Sequence, residues 1–199
     1  MQIKSKYTKN LKKNIEKSLL HATNSFNLLN SQHVSRQIYI STQLILKSLK
    51  KRKKIIFCGN GGSAADSQHL SAELVGKYLK KRKAIPAVSV TTDTSVITSV
   101  GNDMGFENIF SRQIEAIGCK GDVLFLLSTS GKSKNILKAI EVAKKKKIKI
   151  IFLASELVKN NMPKCDIIIR SPAYRVDRIQ EMHIAIGHII CEMIEKQFK

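Results

Sequence analysis

Ile55-Ile56-Phe57-Cys58-Gly59-Asn60-Gly61-Gly62-Ser63, running on into Ala64-Ala65-Asp66-Ser67-Gln68-His69-Leu70-Ser71-Ala72-Glu73, is the stretch on which the architecture turns. A short apolar run with β-branched and aromatic members reads as a buried strand; it stops at three glycines, and alanine-rich sequence of helical character follows. The order is strand, glycine loop, helix. Glycines let a backbone approach a ligand with no Cβ in the way, and the free N–H groups of a helix start favour an anion. A phosphorylated small molecule is the natural occupant. His69 and Glu73 lie four residues apart, so both project from one face of the helix behind that loop. A base and a candidate metal ligand therefore stand close to the anion site.

Outward from this stretch, the chain alternates apolar runs with helical periodicity. On the N-terminal side two helices are expected. The first runs from Thr8 to Leu29 with a stripe at Leu11, Ile15, Leu19, Ala22, Phe26 and Leu29; the second, from about Gln32 to Lys50, carries Val34, Ile38, Ile45 and Leu49. Ordinary core packing is the favoured reading of these stripes over a dedicated partner surface. On the C-terminal side, strands are expected at Ala87–Val90, Asp122–Leu127, Ile148–Leu153 and Asp166–Ile169. Helices are expected up to Asp103, from Asn108 to Ile117, from Ser133 to Lys146 and from Val176 to Lys196. Strand and helix in alternation predict a three-layer α/β fold, a parallel five-stranded sheet flanked by helices. A single domain over 1–199 is expected, with N-terminal helices in 1–52 and the α/β core in 53–199. Ligands in such folds gather at the carboxyl ends of strands. Both polar loops, after Cys58 and after Leu127, stand at such ends.

The 199 residues carry 35 Lys and Arg against 15 Asp and Glu, a formal charge of +20. Most of the excess is lysine, in runs such as Lys50-Lys51-Arg52-Lys53-Lys54, Lys80-Lys81-Arg82-Lys83 and Lys144-Lys145-Lys146-Lys147, which fall between apolar segments. Only seven are arginine, and no aromatic residues are interleaved for base stacking. Solvated surface is the favoured reading, with no nucleic-acid partner. No apolar run reaches the roughly 18 residues of a membrane span, and no leader pattern follows Met1, so a cytoplasmic protein with no membrane association is expected. Cys58, Cys119, Cys165 and Cys191 lack any C-x-x-C spacing and are expected to be buried thiols without disulfides.

Of two nucleotide motifs, one is a weak signal for a dinucleotide-binding alternative and the other fails. Gly59-x-Gly61-x-x-Ala64 satisfies a relaxed dinucleotide fingerprint, yet the nearest acidic residue near the next strand, Asp93, lies about 30 rather than roughly 20 positions on. Gly131-Lys132-Ser133 resembles the end of a Walker loop, but Leu126 stands where its first glycine belongs. The loop Ser128-Thr129-Ser130-Gly131-x-Ser133 instead offers four hydroxyls ahead of a helix, more than capping needs. It is the expected phosphate cradle. His188, in an otherwise apolar face of the last helix, is a further candidate acid, base or metal ligand.

Cys58-Gly59-Asn60-Gly61-Gly62-Ser63, Gly101-Asn102-Asp103, Ser128-Thr129-Ser130-Gly131 and Asp177-Arg178-Ile179-Gln180-Glu181-x-His183 together resemble the sugar isomerase (SIS) family, and within it the branch that acts on heptose phosphates. The resemblance covers most of the chain. It implies a homotetramer with sites between subunits, and an aldose–ketose isomerase that converts sedoheptulose 7-phosphate to D-glycero-D-manno-heptose 7-phosphate, a first step toward lipopolysaccharide core precursors. It further implies one zinc ion per subunit, held by His69, Glu73, Gln180 and His188. Gln180 and His188 are about 12 Å apart along an ideal helix, so both reach one ion only with long side chains, an irregular helix start or from different subunits.

Substrate contacts are expected from Asn60, Gly61, Gly62, Glu73, Asn102, Asp103, Ser128, Thr129, Ser130, Ser133 and Gln180, the hydroxyl loop taking the phosphate and the Asn and Asp side chains the sugar hydroxyls. Isomerisation needs a base at carbon and a group handling the oxygen-bound protons, roles expected of Glu73 and His188. A relative in the same family binds a replication initiator without catalysis. It is similar at His69 but lacks the counterparts of Glu73 and His188, both present here, so the enzyme is preferred.

Overall fold

Five apolar runs lie side by side as one parallel sheet in the computed structural model, which describes residues 2–158 and 163–198. The outer bounds expected for the domain, residues 1 and 199, fall outside the described residues. Helices α1 (Gln2–Leu29) and α2 (Gln32–Lys50) precede β1 (Ile55–Gly59), which leads through the glycine loop into α3 (Gly62–Val75). Then come β2 (Ala87–Ser89), α4 (Thr94–Met104), a 3₁₀ turn at Phe106–Asn108, α5 (Ser111–Ile117), β3 (Val123–Leu127), α6 (Lys134–Lys145), β4 (Lys149–Ser155), β5 (Ile167–Ser171) and α7 (Val176–Gln197). The spatial order is β2-β1-β3-β4-β5. This is the three-layer α/β arrangement expected from the alternation.

That order reverses direction between β1 and β3, and such a switch point opens a crevice at the carboxyl ends of the two strands. Gly59 pairs with Leu127, so the glycine loop and the hydroxyl loop leave the sheet side by side. At the opposite ends of the same strands, the Asp122 carboxylate accepts the N–H of Lys54 at 3.1 Å and holds its Nζ at 2.6 Å. Alternation of side chains along the strands feeds two cores. Ile55, Phe57 and Phe125 pack with α2, α3 and α7 on one face, through Ile45, Leu70 and Ile190 among others. Ile56, Cys58, Leu124 and Leu126 pack on the other face with α4, α5 and α6, through Val100, Ile114 and Ile140.

Three expectations need correction. Ordinary core packing does not describe the stripe on α1: Leu11, Ile15, Leu19 and Phe26 are exposed in the single chain, because α1 passes outside the sheet layers and packs chiefly on α7. The helix also begins at Gln2, earlier than Thr8, since no glycine or proline interrupts the lysine-rich start. Not all cysteines are buried: Cys119 is exposed, in the tight turn between α5 and β3, where its N–H donates to Asp122.

Candidate active site

α3 starts after Gly61, which has φ 55°, a left-handed backbone that suits glycine. At Gly62 a Cβ would lie 2.5 Å from Nε2 of Gln180, so the glycine is what allows the α7 side chain to lie across the loop. Further along both helices, a Cβ at Gly187 would lie 2.5 Å from Leu70. α3 and α7 therefore run alongside each other in the same direction, with Gly62 opposite Gln180 and Leu70 opposite Gly187.

This packing sets His188 against His69. Their Nε2 atoms are 2.8 Å apart, and Nε2 of His69 is 3.2 Å from Oε1 of Glu73. One ligand atom from each of the three residues lies within 4.8 Å of the others. Two imidazole nitrogens held this close must share a proton or flank a cation. Two imidazoles and one carboxylate are also the donor set of open catalytic zinc centres, so the residues fit the ion that the family resemblance implies. Burial and the neighbouring His69 hold the His188 ring below the ordinary imidazole value, while Glu73 pulls it back up. Gln180 leaves α7 about two turns before His188, and its side-chain amide lies against Gly62 at the glycine loop.

Asp66 was not singled out by the sequence reading, although its i, i+3 spacing to His69 puts it on the same helix face. Its Oδ2 is buried without a hydrogen-bond partner among the described residues, and burial pushes its pKa up to about 6 despite the opposing pull of His69. A second carboxyl, poised near neutrality, thus borders the cluster.

The loop side chains divide into those spent on structure and those left for a ligand. Ser128 Oγ accepts the Gly131 N–H at 3.1 Å, and Ser130 Oγ accepts that of Lys132 at 3.3 Å. Ser133 stands at the N-cap of α6 with no side-chain capping bond, which leaves its hydroxyl available. Thr129 is partly buried, and its carbonyl accepts the Ser155 hydroxyl at 2.9 Å. Asn60 forms a reciprocal amide pair with buried Asn135 at 2.9 and 2.8 Å, tying the glycine loop to the start of α6. Asn135 escaped the sequence reading because nothing local marks a partner 75 residues away. Asn102 and Asp103 sit exposed in the last turn of α4, bonded to each other at 2.8 Å; among the described residues neither bonds to the cluster or to the two loops.

Comparison with known proteins bears on this arrangement as a whole. Residues 8–155 match the SIS domain family. The chain is 46% identical over 184 residues to the phosphoheptose isomerase of a Nitratiruptor species, covering 92% of this chain and 98% of that one. It is 51% identical over 152 residues to the phosphoheptose isomerase of Rhodospirillum rubrum, covering 76% and 81%. Among solved structures, phosphoheptose isomerase GmhA from Neisseria gonorrhoeae superposes with a TM-score of 0.85 at 34% identity, over 94% of this chain and 99% of that one.

Proposed function

The chain belongs to the SIS domain family, with the phosphoheptose isomerases, and on that premise we propose that this isomerase converts sedoheptulose 7-phosphate to D-glycero-D-manno-heptose 7-phosphate, supplying lipopolysaccharide core precursors. The observation that carries the reading is the convergence of His69, Glu73 and His188 behind a pair of anion-suited loops. From Gly62 to His69 is about 10.5 Å of helix rise, a span that suits an open-chain sugar with its phosphate at the loops and its carbonyl end at the cluster. The proposal includes a single domain over the whole chain, a homotetramer and a cytoplasmic setting. No described helix is long and apolar enough to cross a membrane.

In this mechanism Thr129, Ser130 and Ser133, with the N–H groups at the start of α6, hold the phosphate. Asn60, Gly61, Gly62 and Gln180 line the sugar chain, and Asn102 and Asp103 take hydroxyls. Glu73 removes a proton from C1 of the ketose and returns it to C2, while His188 transfers a proton between the oxygens on those carbons. His69, Glu73 and His188 would hold a zinc ion, with Gln180 as the fourth ligand, reaching it by its long side chain or from a second copy. Such an ion supplies polarisation of the carbonyl and stabilisation of negative charge on its oxygen. Glu73 would help to hold the ion while keeping a carboxylate oxygen for the substrate.

Purified protein incubated with sedoheptulose 7-phosphate, with and without a chelator, tests the reading. Aldose is expected, its formation suppressed by the chelator and restored by zinc. Metal-replete protein that leaves this ketose untouched overturns it.

A further inference from the structure

Beyond the cluster itself, the segment that leaves α3 is folded around a buried ion pair two turns from the chemistry. Glu195, near the end of α7, and Arg82 are both nearly inaccessible, with Nε of Arg82 3.0 Å from the carboxylate. The same carboxylate accepts three successive backbone N–H groups, from Tyr78 at 3.2 Å, Leu79 at 2.8 Å and Lys80 at 3.1 Å. Arg82 spends its remaining donors on carbonyls: Leu74 at 2.8 Å, Gly76 at 3.3 Å, Lys83 at 3.1 Å, and Glu73 at 2.7 Å. One ion pair thereby satisfies the last carbonyls of α3, Glu73 among them, and bends the next residues back toward α7.

The product of that bend is the position of Tyr78. Its ring stacks alongside that of His188 in an offset, near-parallel arrangement, with centroids 5.7 Å apart and planes inclined by 21°. The His188 ring also meets that of His69 edge-on, at 5.0 Å and 72°. We propose that Tyr78 is a positioning residue for the isomerisation: fixed by the Glu195–Arg82 clamp, its stacked ring holds the His188 imidazole in the direction that faces His69 and Glu73. The inference rests on the role given above to His188. A near-parallel ring alongside it limits the rotation of the imidazole about its own Cβ–Cγ bond that would turn Nε2 away, which is how a supporting shell sharpens a site. The clamp acts through Glu73 as well, since Arg82 grips that residue's carbonyl.

Three variants measured side by side decide it: Tyr78→Ala, Tyr78→Phe and His188→Gln, each with kcat and KM for sedoheptulose 7-phosphate and with zinc affinity by chelator competition. Tyr78→Ala is expected to lower kcat by about tenfold or more with KM within about twofold, and to weaken zinc binding by roughly 10–100-fold, the range for groups that support a ligand. Tyr78→Phe, which keeps the stacked ring, is expected to restore both. If Tyr78→Ala does not fold, Tyr78→Leu supplies bulk without a flat ring and is expected to show the same losses. Native kcat and zinc affinity in the variants lacking the ring, or a Tyr78→Phe as impaired as they are, overturns the proposal while a disabled His188→Gln leaves the site assignment standing. An active His188→Gln would instead remove the role of His188 on which the proposal rests.

Discussion

Glu73 and His183 are two titratable side chains on neighbouring helices with opposite fates. Glu73 is partly buried beside His69, and as the proposed base its carboxylate cannot be replaced by an amide of the same size. Glu73→Gln is expected to lower kcat by about 10²–10⁴-fold; native-rate entry of solvent deuterium at C1 or C2 in that variant would show that another group is the base. His183 is fully buried, with Nε2 3.2 Å from the carbonyl of Ala154 and Nδ1 unpartnered among the described residues. Burial drives its pKa down to about 4, with the Ala154 bond opposing. The folded state thus holds a neutral imidazole where the unfolded chain takes up a proton below its ordinary 6.5. Stability from this group is fully present above that value and is lost as pH falls toward 4, about 3 kcal/mol in all. Urea unfolding of the native protein should therefore weaken between about pH 7 and pH 4.5, and His183→Leu should flatten that dependence; an unchanged slope in the variant would place the loss elsewhere.

Helix against helix, the cluster depends on how closely α7 approaches α3. Gly187 faces Leu70, which is fully buried and has little freedom to yield. Gly187→Ala is expected to cost about 1–3 kcal/mol by overpacking, and to pull His188 away from His69, with a loss of zinc affinity that exceeds any change in KM. Calorimetry with chelator competition reads both, and native values for the two would mean that α7 can shift without moving the cluster. At the α6 start, Ser133 has no capping bond to lose, so Ser130→Ala with Ser133→Ala should raise KM for the phosphosugar by weakening anion contacts. Unchanged KM would reject the loop as the phosphate site. These contacts were only half legible beforehand. The hydroxyl count in 128–133 signalled an anion site, whereas the idle cap at Ser133 and the amide pair of Asn60 with Asn135 became visible only with both loops in place.

Over the whole molecule, the exposed stripe of Leu11, Ile15, Leu19 and Phe26 on α1 is the surface that most calls for a partner, since contiguous exposed apolar area marks association sites. It accords with the proposed tetramer. Leu19→Glu with Phe26→Glu should shift the particle mass toward the monomer in light scattering, and a particle of native mass would move the interface elsewhere. The strand runs, the glycine and hydroxyl loops and the His69/Glu73 pair were all readable in sequence, because strand burial, turn chemistry and helix periodicity are local and repeat at periods of about two or 3.6 residues. Which face α1 would leave bare, where Gln180 would fall, and the joining of Tyr78, Arg82 and Glu195 were not. Those depend on pairs brought together by helix packing from far apart in the chain, Tyr78 and Glu195 across 117 residues among them, and no local pattern encodes which distant side chain a helix will set opposite.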